Sequence, residues 1–220
     1  MSVPDDTQQR LLQAAGPIFA AKGFEGATVR EICQHAQANI AAVNYYFRDK
    51  ERLYIETVKS AFACQAAEAP APAWPPGTPP AEKLRDFIHM VLCKMLDTSG
   101  PVWHRQLILR ELAQPTTACA ELVRERIRPM AEVLGRILEE LVPNVSESER
   151  YLIGFSIVGQ CFYHRVARPI VALLVGDDEH QKYDAELLAR HISRFSLAAL
   201  GLEEPLGATG SKEHARSKRS

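Results

Sequence analysis

The sequence has little that would mark a secreted or disulfide-stabilised protein. It contains five cysteines among 220 residues, and no two of them form a Cys-x-x-Cys pair. An odd and scattered set of cysteines predicts neither a disulfide framework nor a cysteine-rich zinc site. The Cys161/His164 pair alone is too small a set to hold a metal ion. We therefore expect no metal, no cofactor and a reduced, cytoplasmic location.

No segment reads as a secretory signal or a membrane span. The first ten residues are polar and lack a basic region followed by an apolar one. The most apolar stretch, residues 151–175, includes Arg165 and Arg168, charges that a lipid-facing helix rarely carries. This stretch predicts a buried helix, and we expect no membrane partner.

The chain also lacks an excess of charge and the common catalytic motifs. Lys and Arg number 26 and Asp and Glu 27, which gives a net charge of −1 and excludes a uniformly basic surface, although not a local patch. Hydrophobic residues make up 46%, enough for a real core. The dinucleotide, phosphate-loop, nucleophile-elbow and zinc-protease patterns are all absent. We expect no catalytic residues and no enzyme.

Proline predicts the domain boundary. Six of the 14 prolines lie between positions 70 and 80, where neither a helix nor a central strand can form. We therefore expect an N-terminal domain at 1–66, a proline-rich loop at 67–80, and a second helical domain at 81–202. Residues 203–220 are rich in Gly, Ser, Lys and Arg, and we expect a disordered tail there.

The apolar residues recur with a helical period throughout, and no segment alternates with a period of two, so the fold class is all-α. In the first helix Gly23 is a natural stop, and Pro17 predicts a kink. One later stripe has the spacing of a bundle seam, with Pro129 predicting a kink or break inside it; its members are Val123, Ile127, Met130, Leu134, Ile137 and Leu141.

Two short helices between residues 28 and 47 are joined by a very short turn. Thr28 and Glu31 form a capping-box pattern, and Asn39 is a good N-cap for the next helix. Two amphipathic helices so closely joined form a helix-turn-helix. The outer face of the second helix is small or polar, as a helix entering the major groove requires; it offers Asn39, Ala41, Ala42, Asn44 and Tyr45. The alternative is an ordinary solvated face of a helical bundle.

Lys50 favours the DNA-binding interpretation. It lies in the first turn of the following helix, after the N-cap Asp49, where its charge opposes the helix dipole. Local stability does not explain a lysine there, whereas a phosphate partner would.

These residues resemble the N-terminal domain of TetR-type transcriptional regulators from about residue 8 to residue 62. The resemblance is carried by Thr28-Val29-Arg30-Glu31-Ile32 and by the block from Asn44 to Leu53, and residues 41–47 look most like the CecR branch. It implies a repressor that binds double-stranded DNA at a palindromic operator. Thr28, Tyr46 and Lys50 would then hold phosphates, Arg30 would add to the contact, and Asn39, Ala41, Ala42, Asn44 and Tyr45 would face the major groove. The family commonly has glycine where Gln37 and Ala38 stand.

One count favours a different function. Residues 1–60 hold seven basic and seven acidic side chains, so a helical protein-interaction module without DNA binding is the alternative. Clustering of Arg48, Lys50 and Arg52 at the end of the second helix would offset this balance. The basic tail residues Lys212, Arg216, Lys218 and Arg219 add either a DNA arm or a solubilising end.

The second half predicts a homodimer, because one helix-turn-helix covers only half of a palindrome. A second capping box, Ser146 with Glu149, opens a long helix that is apolar on more than one face. With the last helix it predicts the dimer interface Phe155, Val158, Phe162, Leu188, Ile192, Phe195 and Ala199. The alternative places both helices in the core of a single subunit.

A pocket for an unknown small-molecule effector is expected where polar side chains interrupt apolar helices. The candidates are Trp103, Arg110, Met130, Phe162, Tyr163, His164 and Arg168. The family resemblance implies that effector binding shifts the population away from the DNA-binding conformation.

Overall fold

A computed structural model describes residues 6–64 and 72–205, and all regular structure in these two ranges is helical. The expected all-α fold is confirmed. In chain order the helices are α1 (Asp6–Gly26), α2 (Val29–His35), α3 (Ile40–Phe47), α4 (Lys50–Cys64), α5 (Pro80–Leu96), α6 (Val102–Ala113), α7 (Thr117–Leu122), α8 (Arg128–Leu141), α9 (Glu147–Val166), α10 (Arg168–Val175), α11 (Asp177–His180) and α12 (Ala185–Ala199).

The chain forms two compact units that are not continuous in sequence. Of the described residues, 6–64 and 97–129 form the first unit, and 72–96 and 130–205 form the second. This division differs from the expected one, because α6 and α7 pack with the N-terminal helices rather than with the C-terminal bundle. The expected loop and tail lie partly outside the described residues, which exclude 65–71 and 206–220.

The first unit is built around α1 and α4, which pack against α6. Its core joins apolar side chains from all six helices of the unit, among them Leu11, Phe19, Ile32, Val43, Phe47, Leu53, Val58, Leu107 and Leu122. Trp103 fills the space above Gly16, where an added Cβ would lie 2.5 Å from its ring. This close packing of α1 against α6 requires glycine at position 16.

The predicted helix ends of the first unit are largely confirmed. Gly23, at φ 73°, interrupts α1 as expected, while the helix continues through Pro17. Thr28 Oγ1 accepts the backbone N–H of Glu31 at 3.2 Å, and Asn39 Oδ1 accepts that of Ala41 at 3.0 Å. The Glu31 side chain does not return the bond to Thr28, because its carboxylate instead accepts from Lys22 Nζ at 2.6 Å.

Between α7 and α8 the chain makes a π-helical turn, Val123–Ile127, where the sequence predicts a continuous bundle seam. Pro129 has no backbone N–H to give to the preceding turn, and a π turn is one way for a helix to accommodate that loss. As a result Val123 and Ile127 are more than one-third exposed, while Leu134 and Ile137 further along are buried. The predicted seam is therefore wrong at its first two positions.

The second unit packs α5, α8, α9 and α12 around one core. Leu84, Ile88 and Leu92 of α5 meet Leu188 and Ile192 of α12 there. The capping box that opens α9 is confirmed, since Ser146 and Glu149 exchange bonds of 3.0 and 3.3 Å between backbone N–H and side chain. The Glu149 carboxylate accepts from the backbone N–H of Ser146 at 3.0 Å and from its hydroxyl at 2.8 Å, and these two bonds lower the pKa of Glu149.

None of the helices within 6–64 and 72–205 is long and apolar enough to cross a membrane.

Candidate nucleic-acid interface

The turn between α2 and α3 sets the angle of the helix-turn-helix. Ala36 is the C-cap of α2, and Gln37 takes a left-handed backbone with φ 50°. The backbone N–H of Ala38 then donates to the Cys33 carbonyl at 2.9 Å. Glycine takes a left-handed backbone without strain, whereas this chain forms the turn with a glutamine in that conformation.

The second helix of the motif, α3, presents one polar face to solvent. Val43 and Phe47 anchor it in the core, and Ala42 is half-buried. Asn39, Ala41, Asn44 and Tyr45 are exposed, Tyr45 to 82%. Ile40, at the start of the helix, is also 48% exposed. The exposed face is therefore short and rich in amide groups, as reading base edges requires.

Two predicted contacts lie at the start of α2. Thr28 and Arg30 are both exposed, and Thr28 uses its hydroxyl oxygen as the N-cap. A hydroxyl that accepts a capping bond still has its own proton to donate, for example to a phosphate oxygen.

On the other side of α3, Tyr46 is half-buried and packs edge-on against Tyr45 at 4.8 Å between ring centroids. Lys50, at the start of α4, has partners that the sequence did not reveal. Its Nζ lies 4.6 Å from the centre of the Phe24 ring and 3.4 Å from the Glu25 carbonyl oxygen. These local contacts also hold the lysine, so the expectation that local stability does not explain Lys50 is wrong.

The expected basic cluster is smaller than the sequence suggests. Arg52 points its guanidinium to Glu56 and Glu121, at 2.6 and 2.9 Å. Arg48 is exposed at the end of α3 with φ 72°, and Lys50 is half-buried. The cations on the exposed side of the motif are thus Arg30, Arg48 and Lys50, and the tail residues lie outside the described range.

Two family models match the chain in succession. The model of bacterial regulatory proteins of the TetR family matches residues 11–57. The model described as the C-terminal domain of the HTH-type transcriptional dual regulator CecR matches residues 80–200, more than half of the chain. The chain belongs to the TetR family. It is a DNA-binding transcriptional regulator, and the alternative of an interaction module without DNA binding finds no support.

Individual TetR-family relatives agree with this assignment. The chain is similar to the dual regulator CecR of Shigella flexneri, at 25% identity over 212 residues, 91% of this chain and 94% of CecR. It is also similar to the transcriptional repressor NicS of Pseudomonas putida, at 34% identity over 59 residues, 27% of this chain and 28% of NicS. A TetR-like regulator from Rhodococcus sp. RHA1 shares the fold, with a TM-score of 0.60 and 17% identity, over 92% of this chain and 100% of that one.

The seven candidate effector residues are divided between the two units. Trp103 and Arg110 belong to the first unit, where Trp103 packs on Gly16 and Arg110 donates to the Ala20 carbonyl at 3.4 Å, near the end of α1. The second unit holds the other candidates, Met130, Phe162, Tyr163, His164 and Arg168.

Within the second unit, Arg168 is exposed and lines a cleft of about 360 Å³ together with Leu96, His180, Gln181, Tyr183, Asp184 and Ala185. Burial first, and then the charges of His191 and His180, lower the pKa of His164. A larger cleft, of about 830 Å³, lies between α1 and α2 in the first unit. Among the described residues no group of three or more His, Cys, Asp and Glu could hold a metal ion.

The candidate dimer residues differ in exposure. Phe155, Phe195 and Ala199 are exposed, and Val158 and Phe162 are half-buried. Leu188 and Ile192 are buried in the core of their own unit and present no surface to a partner. The predicted set therefore loses these two. Two exposed side chains that the sequence did not assign to the interface, Leu152 and the candidate effector residue Tyr163, lie on the outer side of α9.

Sequence reasoning missed a buried polar cluster in the first unit. Glu111, on α6, is 1% exposed, and its carboxylate accepts from the Tyr54 hydroxyl at 2.6 Å. It also accepts from Thr116 N and Oγ1 at 2.6 and 2.8 Å, and from Cys119 N at 3.1 Å. Burial and the bond to Glu111 raise the pKa of Tyr54. No local pattern announced these contacts, which join α4, α6 and α7.

Proposed function

We propose that this TetR-family protein is a homodimeric repressor that binds a palindromic operator and leaves it when a small-molecule effector binds. The observation that carries the proposal is the exposed face of α3, Asn39, Ala41, Asn44 and Tyr45, flanked by the hydroxyl of Thr28 and the ammonium of Lys50. Repression is supported by the similarity of the DNA-binding part to a protein named as a repressor. Action on DNA implies a cytoplasmic location.

In this proposal the contacts have two separate tasks. Asn44 reads a base edge, because an amide can pair with adenine in the major groove. Asn39, whose Oδ1 caps α3, contributes its amide NH₂ as a donor. Thr28, Arg30, Tyr46 and Lys50 hold phosphates and fix the register without reading sequence. Ala41 and Ala42 are small enough to let the backbone of α3 approach the bases.

The dimer is proposed to form through the outer sides of α9 and α12. On α9, Leu152, Phe155, Gly159 and Tyr163 follow one another at intervals of three and four, so they lie on one helix face. An added Cβ at Gly159 would meet nothing within 4 Å. Glycine inside a helix costs about 1 kcal/mol relative to alanine, and close approach of a second subunit is a reason to keep it here. Phe195 and Ala199 of α12 complete the surface.

The effector is proposed to bind in the second unit, beside Phe162, His164 and Arg168, whereas Tyr163 lies on the proposed dimer face. The Arg168 cleft reaches the lower end of the usual size of small-molecule sites. We leave Trp103 and Arg110 out of this set, because both make contacts within the first unit. The Trp103 ring packs on Gly16, and Arg110 donates to the Ala20 carbonyl.

Selection of bound duplexes from a random pool, followed by anisotropy titrations at several salt concentrations, tests the DNA-binding assignment. We expect an inverted repeat whose half-sites are about one helical turn apart. Asn44→Ala should reduce affinity for the selected duplex about tenfold and leave non-specific affinity unchanged. Lys50→Met should weaken both kinds of binding and lower the salt slope by about one.

The matched control is Lys182→Met, which removes a lysine from the second unit that pairs with Glu179 at 2.7 Å. It should bind like the unmodified protein. A pool that yields no enriched sequence, or variants of Asn44 and Lys50 that bind normally, would contradict the assignment.

A further inference from the structure

Three aromatic rings meet where α1 ends and α4 passes. Tyr54 contacts Phe19 with ring centroids 4.8 Å apart and an interplanar angle of 87°. It contacts Phe24 at 5.3 Å and 62°. Phe24 follows Gly23, whose φ of 73° breaks α1 and turns the chain. The half-buried Phe24 ring thus lies between the core and the surface.

The outward side of Phe24 carries the ammonium group of Lys50. Nζ is 4.6 Å from the ring centroid, within the range of a cation–π contact, and donates to the Glu25 carbonyl at 3.4 Å. An ammonium group has three donors, so one bond to Glu25 leaves donors for a further acceptor. The side chain has four rotatable bonds, and these two contacts restrict them.

On the core side of Phe24, Tyr54 is held in place by hydrogen bonds. The hydroxyl of Tyr54 donates to buried Glu111, whose carboxylate also receives three bonds from Thr116 and Cys119. Glu51 Oε1, next to Lys50, accepts from Thr117 Oγ1 at 2.7 Å. The first turns of α4 are therefore tied to α6 and α7, and Tyr54 has little freedom to move away from Phe24.

We propose that Phe24 is a positioning residue for DNA binding. The Phe24 ring restricts the Lys50 side chain, so that its ammonium is already ordered when a phosphate binds. The hydrogen bond between Tyr54 and Glu111 keeps Tyr54 packed against the side of the Phe24 ring that faces the core. Ordering a long side chain before binding removes part of the entropy that the contact would otherwise lose. The inference rests on the proposed phosphate contact of Lys50.

A double-mutant cycle on the selected operator duplex tests this role. Lys50→Met should lower the salt slope by about one, and Phe24→Leu should weaken binding about two- to fivefold. The double variant should bind no more weakly than Lys50→Met alone, because the ring acts only through the lysine. Phe24→Tyr retains an aromatic face and should bind like the unmodified protein.

Circular dichroism and the thermal midpoint show whether each variant is folded, and Phe24→Met is the second variant if Phe24→Leu is not. A Phe24 effect that persists in full in the Lys50→Met background would overturn the inference while leaving the phosphate contact intact. Normal binding by Lys50→Met would instead remove the phosphate contact itself, and the inference with it.

Discussion

Single residues set the geometry of the helix-turn-helix, and Gln37 is the one most open to test. Its φ of 50° places a glutamine in the left-handed region, where an L side chain costs roughly 1 kcal/mol and glycine costs nothing. We expect Gln37→Gly to raise the free energy of unfolding by about 0.5 kcal/mol, because glycine's extra freedom in the unfolded chain cancels part of the gain. Urea denaturation measures the change.

The neighbouring alanine provides the control for this prediction. Ala36 has φ −76° and an ordinary right-handed backbone, so Ala36→Gly relieves nothing and should lower stability by about 1 kcal/mol. Affinity for operator DNA should be unchanged in Gln37→Gly, since the turn keeps its conformation. A loss of stability in Gln37→Gly would mean that the left-handed backbone is not strained.

Much of the helix-turn-helix could be predicted from sequence because its signals are local. The N-caps Thr28 and Asn39 and the short turn between the two helices all lie within twenty residues, and the structure confirms each of them. The partners of Lys50 could not be predicted, because Phe24 and Glu25 lie some 25 residues away in the chain. Only the folded arrangement of α1 and α4 brings them together.

Among whole elements, α7 has a start that depends on hydrogen bonds to another helix. Glu111 of α6 accepts the backbone N–H groups of Thr116 and Cys119 and also the Tyr54 hydroxyl. Glu111→Gln places an amide NH₂ among donors that need an acceptor. We expect it to lower the free energy of unfolding by about 2–4 kcal/mol, as loss of a buried hydrogen-bond network does.

Glu51→Gln is the matched control for this change. Glu51 is an exposed carboxylate that accepts one hydroxyl bond from Thr117, so its replacement should cost less than about 0.5 kcal/mol. Denaturant titrations of both variants decide the matter. Equal and small effects would mean that the buried carboxylate contributes no more than a surface one.

The hydrophobic periodicity predicted that these segments are helical, but it did not predict which side chains of α7 and α8 are buried. The apolar residues from Val123 to Leu141 have the spacing of one continuous bundle seam. The π turn at Val123–Ile127 changes the direction in which the side chains before and after it point. Leu122 is buried where Val123 was expected. Proline in a helix announces a disturbance, but a kink, a break and a π turn are all solutions, and packing with the rest of the unit selects one.

At the level of the whole molecule, the sequence predicts that α9 and α12 are apolar beyond one face, but not which face is buried within the subunit. Leu188 and Ile192 lie in the core, while Phe155 is 66% exposed on the outer side of α9. A charge at Phe155 leaves the fold of a subunit unharmed and opposes its burial against a second subunit. Phe155→Glu should therefore be folded and monomeric at micromolar concentration, as measured by light scattering coupled to size exclusion.

The same variant distinguishes dimerisation from DNA contact by the helix-turn-helix. Phe155→Glu should bind a half-site like the unmodified protein but lose the gain in affinity that two linked half-sites give. Val102→Glu, at an exposed valine of α6 in the first unit, is the control and should be dimeric. The rival surface is on α10, where Leu173 is 88% exposed. If Leu173→Glu is monomeric and Phe155→Glu is dimeric, the interface lies on α10, and the proposed use of α9 and α12 is wrong.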